Sequence, residues 1–313
     1  MGKPIQISGS IAFDTILQFQ GNFKDNLAYD ADSPISLSFF CPRMRREFGG
    51  CAANIAYNLR LLGQDCILLG SVGRDGKEYL KKLKETGINT DNCILDDDHF
   101  TAQAIITTDT NGNQLTSFHP GAMELAGKNG IAELCTSFGI VSPNSFEAMV
   151  RHAQEFSDKN IPFIFDPGQA LPMFSKSDVT EFTKLASWIA VNEHESEILC
   201  DLLGEDLGSI SKKLNGHQTS SLIQTLGNKG VKIFMGEKTF SVEALKTTQE
   251  VDPTGCGDAF RAGLLYGFNT GKNILESVKF GNAMGYIKVQ SSGAQNHEIT
   301  AEEVNSLISA KDK

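Results

Sequence analysis

Long apolar runs and long basic runs are both missing from this chain of 313 residues. No apolar stretch approaches the roughly 20 residues that a helix needs to cross a bilayer. The densest group of positive charges is Arg43, Arg45 and Arg46, and the formal net charge is −10. We therefore expect neither a nucleic acid nor a membrane as a partner, because both favour basic surfaces. An acidic chain can still bind a small anion where backbone N–H groups converge.

Cysteine is sparse, and its seven copies are scattered without a C-x-x-C pair. An odd number of dispersed cysteines is typical of free thiols in a reduced compartment. The stretch "MGKPIQISGSIAF" has no charged segment followed by a long apolar run, so it predicts no signal peptide. Together these features predict a cytoplasmic protein.

Three common catalytic motifs are also absent. The sequence has no G-x-x-x-x-G-K-[ST] phosphate loop and no G-x-S-x-G nucleophile elbow. The glycines at 70, 73 and 76 have the wrong spacing for a G-x-G-x-x-G dinucleotide loop. These absences disfavour a P-loop enzyme, a hydrolase of the elbow type and a dehydrogenase on a doubly wound sheet.

What the sequence does contain is an alternation of β-rich runs and helical patterns. Several candidate strands are continuously apolar, which is typical of strands buried on both faces. Amphipathic helical patterns, such as residues 145–159, lie between them. This order predicts an α/β fold with a parallel-rich central sheet and helices on both faces. The candidate strands are residues 5–8, 66–73, 138–142, 162–166, 188–192 and 221–227.

Two regions break the alternation with β-rich segments that have no helix between them. Residues 12–46 include "AFDTILQF" and "ISLSFF"; residues 100–119 include "TAQAIITT" and "NQLTSF", joined by the hairpin turn "DTNGNQ". Ligands of open α/β sheets lie at the carboxyl ends of the strands, so a small sheet there would act as a lid. The predicted large domain is then 1–11, 47–99 and 120–313. The exposed strand edges of the lid favour a homodimer.

The stretch "DPTGCGDAFRAGLLYG" (252–267) carries the strongest catalytic signal. Gly255, Cys256 and Gly257 are small enough to let an anion approach a helix N-terminus, where unpaired N–H groups and the dipole favour negative charge. Asp258 stands at the head of that helix. A helix cap is the alternative, but a cap needs no flanking glycines. We interpret Asp258 as the base that deprotonates a hydroxyl while the turn stabilises a transferring phosphoryl group.

This stretch resembles the D-T-x-G-A-G-D signature of the ribokinase-like (PfkB) carbohydrate kinase family, and the chain is most similar to that family's bacterial adenosine kinases. Pro253 and Cys256 stand where the family usually has Thr and Ala. The second acid of the signature is the family's catalytic base, so the resemblance implies an ATP-dependent kinase with Asp258 in that role. We also predict a reactive thiol of lowered pKa at Cys256; the alternative is a small packing thiol.

The resemblance assigns a sugar site to the N-terminal part of the chain. "GSIAFD" ends in Asp14, and "FGGCAANIAYNLRLLG" supplies Gly49, Gly50 and Asn54. The resemblance implies that Asp14, Gly50 and Asn54 bind sugar hydroxyls, and the glycines would let a flat ligand lie against the backbone. A plain strand–turn–helix with Asn near its cap is the alternative.

The resemblance also implies ATP and metal ligands. "NEHE" supplies Asn192 and Glu195, which would organise phosphate and Mg²⁺ through water. "TLGNKG" (225–230) would form the nucleotide loop with Thr225, Gly227 and Gly230, and Asn282 would face adenine. The resemblance further implies a monovalent cation, K⁺, at Asp252, unless Asp252 only braces the turn.

Three segments favour a nucleoside over a free sugar as the acceptor, since they resemble the adenosine kinases: residues 42–59, "SFHPGAM" (117–123) and "DPGQAL" (166–171). A nucleoside needs an apolar slot and a polar group at the edge of its base. We expect base stacking on Phe118, an edge contact from Gln169 and a slot lined by Met123; lid packing and a solvated loop amide are the alternatives for Phe118 and Gln169. The prediction is adenosine 5′-phosphorylation in purine salvage. A ribose or fructose kinase and a ligand-binding sensor remain alternatives.

Overall fold

The computed structural model describes residues 3–26, 37–132, 136–215 and 220–311. The strands in these ranges are β1 (Ile5–Ser8), β2 (Ala12–Gln18), β3 (Arg43–Gly49), β4 (Cys66–Leu69), β5 (Ser71–Val72), β6 (Ile94–Leu95), β7 (Ala102–Thr108), β8 (Gln114–His119), β9 (Gly139–Val141), β10 (Phe163–Phe165), β11 (Trp188–Asn192), β12 (Ser221–Thr225), β13 (Val231–Met235) and β14 (Lys238–Val242). The helices are α1 (Phe23–Asn26), α2 (Cys51–Leu61), α3 (Lys77–Glu85), α4 (Phe146–Asp158), α5 (Lys176–Leu185), α6 (Glu193–Leu203), α7 (Leu207–Ser211), α8 (Cys256–Asn269), α9 (Ile274–Lys288) and α10 (Ala301–Lys311).

The central sheet has the order β14-β13-β12-β11-β10-β9-β1-β4. The strands from β12 to β4 pair in parallel, and β13 and β14 add an antiparallel edge. Alternate residues of a strand enter different cores: Ile164 packs with the cluster that includes α2 and α8, whereas Phe163 and Phe165 pack with the cluster that includes α4 and α5. The predicted α/β fold with helices on both faces is confirmed.

The central sheet also departs from the sequence-based prediction in two details. The predicted strand 66–73 is split at Gly70, where a Cβ would lie 2.9 Å from the Gly9 carbonyl oxygen, and β5 then pairs with β6. The β13–β14 hairpin was not predicted, although its two runs flank a two-residue loop with Gly236 at φ 59°. A glycine in such a loop is the signal that could have identified it.

A second sheet, of four strands, has the order β3-β2-β7-β8. It confirms "AFDTILQF", "TAQAIITT" and "NQLTSF" as strand segments. The prediction of a strand at "ISLSFF" needs correction: residues 37–40 form no strand, and residues 35 and 36 lie outside the described ranges. Phe39 packs instead against Phe19 and Phe23, and β3 begins only after Pro42, which has no N–H to donate. The short helix α1 also falls within a region predicted to have none.

The fold leaves one edge of the central sheet open for ligands. The parallel strands β1, β10, β11 and β12 end at this edge, and the loops after them carry polar residues. Such an edge is the usual ligand site of an open α/β sheet. Within the described ranges, no helix combines the length and the apolar character needed to cross a bilayer, and the six cysteines found there are free. Cys135 lies outside those ranges. The division into a large domain and a lid stays a prediction.

Candidate active site

The N-terminus of α8 forms a tight turn at the open edge of the sheet. Gly255 has a φ of 78°, which favours glycine, and a Cβ there would lie 2.7 Å from the Ala294 Cβ. The Cys256 N–H donates to the Pro253 carbonyl at 3.1 Å. Gly257 and Asp258 follow in the first turn of α8. The N–H groups of a first turn have no carbonyl one turn earlier to bind, so those of Gly257 and Asp258 have no intrahelical acceptor. This turn is therefore suited to an anion, with the N–H of Cys256 already engaged.

Asp258 is a partly buried carboxylate with one polar side-chain partner at short range. The Asn54 Nδ2 donates to Asp258 Oδ2 at 2.8 Å. Burial raises the pKa of Asp258 to about 7; the Asn54 hydrogen bond and Arg261 oppose the shift, and the carboxylates of Asp166 and Asp14 add to it. A carboxylate with a near-neutral pKa can exchange a proton at physiological pH, as a general base must.

Behind Asn54 lies a buried hydrogen-bond chain that sequence reasoning did not find. Gln295 Nε2 donates to Asn54 Oδ1 at 2.9 Å and to the Tyr79 hydroxyl at 2.6 Å, and that hydroxyl donates to the Gly49 carbonyl at 2.8 Å. The chain fixes the amide of Asn54 so that its NH₂ group faces Asp258. Asn54, predicted to bind a sugar hydroxyl, is thus also the group that orients the carboxylate of Asp258.

A buried ion pair beside Asp258 was also missed. Arg261 Nε and Nη2 each donate to Asp166 at 2.8 Å, in a bidentate geometry. Burial alone would lower the pKa of Arg261, but Asp166, together with the charges of Glu195 and Asp258, outweighs it and the pKa is raised. The sequence signal was a lone charge inside the apolar helix "AFRAGLL". Arg261 also donates to the Gly257 carbonyl at 3.3 Å, so the pair supports the turn.

The residues predicted to bind a sugar surround a second acid. Asp14 on β2 lies opposite Glu47 on β3, and burial, then Glu47, raises its pKa to about 6. A Cβ on Gly49 would lie 2.5 Å from Asp14 Oδ2. Gly50 has a φ of 93°, and a Cβ there would meet backbone atoms at 2.5 Å. Gly50 therefore requires glycine, whereas a Cβ on Gly49 would displace the Asp14 side chain.

The three residues predicted to bind a purine lie around the small sheet and the neighbouring loops. Phe118 on β8 is opposite Ala104, which is opposite Asp14, so Phe118 and Asp14 share one face two strands apart. Phe118 is 50% exposed. Met123 is half-buried in the 3₁₀ turn Gly121–Lys128, and the Gln169 Nε2 lies 3.7 Å from the Cys51 Sγ, next to Gly50.

The residues predicted to contact ATP and Mg²⁺ lie at the ends of β11 and β12. Asn192 and Thr225 are paired across these strands. Asn192 and Glu195 form a capping box for α6, with three hydrogen bonds of 2.7–2.8 Å. Burial, then Asp166, raises the pKa of Glu195, and Glu195 Oε2 lies 4.0 Å from Arg261 Nη2. Among the described residues no group of three His, Cys, Asp or Glu side chains could hold a metal ion.

A cleft lies beyond the predicted nucleotide loop. Gly227 and Gly230, in the predicted nucleotide loop, have φ values of 56° and 99°, and both values favour glycine. Asn282 on α9 donates to the Glu243 carbonyl at 3.1 Å and lines a cleft of about 290 Å³. Its other lining residues are Ser241, Val242, Glu243, Leu245, Leu275, Lys279, Ile308 and Lys311.

Asp252 joins the start of the turn to the segment after α9. Its carboxylate accepts from the N–H groups of Thr254 and Gly293, each at 2.9 Å, and lies 3.7 Å from Arg45 Nη2. Burial would raise the pKa of Asp252, but the hydrogen bonds from Gly293 and Thr254, together with the charge of Lys288, outweigh it and the pKa is lowered. The Lys288 Nζ donates to the Asp252 carbonyl at 2.7 Å. Asp252 therefore braces the turn.

The structure corrects the prediction made for the thiol of Cys256. Burial raises its pKa to about 11; Lys288 opposes the shift, and the carboxylates of Asp252 and Asp258 add to it. The predicted lowering of the pKa is therefore wrong, because lost hydration and nearby negative charge outweigh the helix N-terminus. The thiol is protonated at neutral pH, which favours the packing interpretation.

Comparison with known proteins agrees with this fold. The model of the pfkB family carbohydrate kinases matches residues 26–301. The nucleoside kinase of Methanocaldococcus jannaschii is 30% identical over 84% of this chain and 86% of its own length. The ribokinase of Bacillus subtilis is 27% identical over 83% and 87%. The solved structure of Burkholderia thailandensis nucleoside kinase in complex with inosine has a TM-score of 0.87 and 39% identity, covering 98% of this chain and 97% of that one.

The fold and the site thus define a phosphotransferase of the ribokinase-like fold. The chain belongs to the pfkB family of carbohydrate kinases, and it is an ATP-dependent kinase with a hydroxyl group as acceptor.

Proposed function

We propose that this kinase transfers the γ-phosphoryl group of ATP to the 5′-hydroxyl of a ribonucleoside, with adenosine as the substrate and AMP as the product. The observation that carries the proposal is the carboxylate of Asp258 at the mouth of the α8 turn, held by Asn54 at 2.8 Å. In this role Asp258 accepts the proton of the hydroxyl as its oxygen attacks the γ-phosphorus in line. The N–H groups of Gly257 and Asp258, with Gly255 leaving them accessible, then face the charge on the phosphoryl oxygens.

The recognition of the ribose falls to Asp14, Gly49, Gly50 and Asn54. Asp14 offers carboxylate acceptors to hydroxyl donors, Gly49 brings the backbone of β3 close to that carboxylate, and Gly50 lies against the backbone that leads into β2. Burial raises the pKa of Asp14 to about 6, still below neutral, so it is an acceptor at pH 7.

The case for a nucleoside rests on Phe118 and on the relatives. Phe118 has an exposed ring on the face of the small sheet that carries Asp14, at a spacing of about 10 Å for two strands. Stacking of a base on such a ring is worth about 1–3 kcal/mol. Gln169 and Met123 complete the proposed purine slot. The nucleoside kinases of two other organisms are the relatives named above, and one was solved with inosine.

We assign ATP to the loop of Thr225, Gly227 and Gly230 and to the cleft beside Asn282. Its glycines let phosphates approach the backbone, and the cleft is large enough for part of a base. When bound, Mg²⁺ would neutralise phosphate charge, and Glu195 with Asn192 would hold it through water, as suits an ion that keeps much of its hydration shell. In this proposal the small sheet serves as a lid over the acceptor. A homodimer would form through the edge strands of that sheet. The enzyme would serve purine salvage in the cytoplasm.

A free-sugar kinase is the second candidate, favoured by the family itself and by the ribokinase relative at 27% identity. A sensor without transfer is disfavoured because Asp258 and its glycine turn are both present. The test is an assay of ATP-dependent phosphorylation with adenosine, inosine, ribose and fructose, using Asp258→Asn as the blank. The proposal expects adenosine to have the highest kcat/KM of the four acceptors, with AMP as the product. A higher kcat/KM for a free sugar would refute it.

A further inference from the structure

Lys288 is a lysine with no exposed surface, at the last position of α9. Its ammonium donates to the carbonyl oxygen of Asp252 at 2.7 Å and to that of Ser291 at 3.0 Å. Lysine is almost never fully buried without a partner, because desolvation of the charge is costly. Here the partners are two backbone carbonyls from different segments, which is an arrangement for joining those segments.

The two segments are the one that leads into the α8 turn and the one that follows α9. They are also joined by the N–H of Asp252, which donates to the Val289 carbonyl at 3.1 Å, and by the N–H of Gly293, which donates to the Asp252 carboxylate at 2.9 Å. Ala294, in the second segment, packs closely against Gly255: a Cβ added to Gly255 would lie only 2.7 Å from the Ala294 Cβ. A shift of the second segment would therefore be transmitted to Gly255 and the start of α8.

This geometry does not fit a resident monovalent cation at Asp252. Carbonyl oxygens are the ligands that K⁺ takes in proteins, and the Lys288 ammonium already holds two of them. A second cation beside it would meet repulsion from the ammonium and from the Arg45 guanidinium, which lies 3.7 Å from the Asp252 carboxylate. The Asp252 carboxylate oxygens already accept from Thr254 and Gly293.

We propose that the Lys288 ammonium is a built-in cation that positions the α8 turn, so that phosphoryl transfer needs no added monovalent cation. The inference rests on the proposed transfer site, in which Gly255, Gly257 and Asp258 must be held in place. Lys288 is a positioning residue, because it acts through the backbone of Asp252 and Ser291. Misplacement of a reacting group by about 1 Å can lower the rate by about 10²-fold.

The unmodified protein provides the first test. Its kcat and melting temperature are measured in KCl, NaCl and tetramethylammonium chloride at equal ionic strength. The proposal expects the same values in all three salts. Activation or stabilisation specific to K⁺ would overturn it, whether or not any variant folds.

Substitution of Lys288 provides the second test. In tetramethylammonium chloride, Lys288→Ala should lower kcat by about 10²-fold while the KM for the acceptor stays unchanged. K⁺ or NH₄⁺ should restore both kcat and melting temperature, since either ion can occupy the vacated space. Lys288→Met, which fills that space without charge, should lose kcat and gain little from either ion.

Lys184→Ala is the matched control, since Lys184 lies exposed on α5 and its ammonium pairs with the equally exposed Glu181 at 3.0 Å. Its kcat should equal that of the unmodified protein in every salt. Full kcat of Lys288→Ala in tetramethylammonium chloride would contradict the proposal. If no acceptor were phosphorylated at all, the proposed function would fail, and the melting temperatures would decide this inference alone.

Discussion

The two ends of the candidate site are built differently. At the transfer end, Asp258 and its turn are held by buried partners: Asn54, with 4% of its surface exposed, and the Arg261–Asp166 pair. At the recognition end, Phe118 is 50% exposed and Gln169 is exposed on the short 3₁₀ helix Gly168–Met173. The difference predicts that the chemistry depends on groups fixed by buried partners, whereas acceptor choice depends on separate exposed side chains that can change without disturbing those groups.

The largest expected effect comes from removal of the base. Asp258→Asn should lower kcat by about 10²–10⁴-fold, because a positioned base contributes that much. Acceptor binding, measured by calorimetry, should be nearly unchanged, since the amide keeps the shape of the carboxylate. Asp201→Asn, at an exposed position of α6, is the control and should keep full activity. Full turnover of Asp258→Asn would rule out the mechanism.

The next effect is on stability. Arg261→Ala should reduce the free energy of unfolding by about 3–5 kcal/mol, because it leaves the buried Asp166 carboxylate without its partner. Denaturant titration measures the loss. Lys184→Ala removes an exposed pair with Glu181 and should cost no more than about 1 kcal/mol. Equal losses in the two variants would show that the buried pair does not support the transfer end.

A smaller effect is expected at the recognition end. Phe118→Ala should lower kcat/KM for adenosine by about 5- to 150-fold, the equivalent of one stacked base, and leave that for ribose nearly unchanged. Leu115→Ala is the matched control, since Leu115 is on the same strand with 43% of its surface exposed, and its odd spacing from Phe118 puts it on the other face. A parallel loss for adenosine and ribose would indicate a structural role for Phe118.

The smallest effect is a shift in pH dependence. Asp258 must be ionised to act as a base, so kcat/KM should rise with pH through its pKa of about 7 and level off above it. The Asn54 hydrogen bond lowers that pKa, so Asn54→Ala should move the rise to higher pH. Asn305→Ala, at an exposed position of α10, should leave the profile unchanged. An unshifted or lower midpoint in Asn54→Ala would contradict the assigned role of Asn54.

The sequence predicts the parts of the site that are contiguous in the chain. The glycine turn and Asp258 lie within one segment, so their chemistry is visible from residue types and spacing. The hydrogen bond between Gln295 and Asn54 joins segments that are 241 residues apart. The ion pair of Arg261 with Asp166 joins segments that are 95 residues apart. Only the fold brings them together, and no local pattern predicts their partners.

The strands show the same limit. Continuous apolar runs such as those of β4 and β11 are predicted as strands because burial on both faces selects for them. "ISLSFF" is also rich in apolar residues, but its Phe39 packs in a ring cluster with Phe19 and Phe23, and residues 37–40 form no strand. The raised pKa of Cys256 was missed because its burial and its two neighbouring carboxylates arise only in the folded chain.

The most direct test of the account is a competition between acceptors. Equal concentrations of adenosine and ribose are supplied with limiting ATP, and the phosphorylated products are identified by ³¹P NMR. Their ratio gives the ratio of the two kcat/KM values in one tube. The account predicts AMP in excess over ribose 5-phosphate by at least about 5- to 150-fold, from stacking on Phe118 alone. Ribose 5-phosphate as the main product would contradict it.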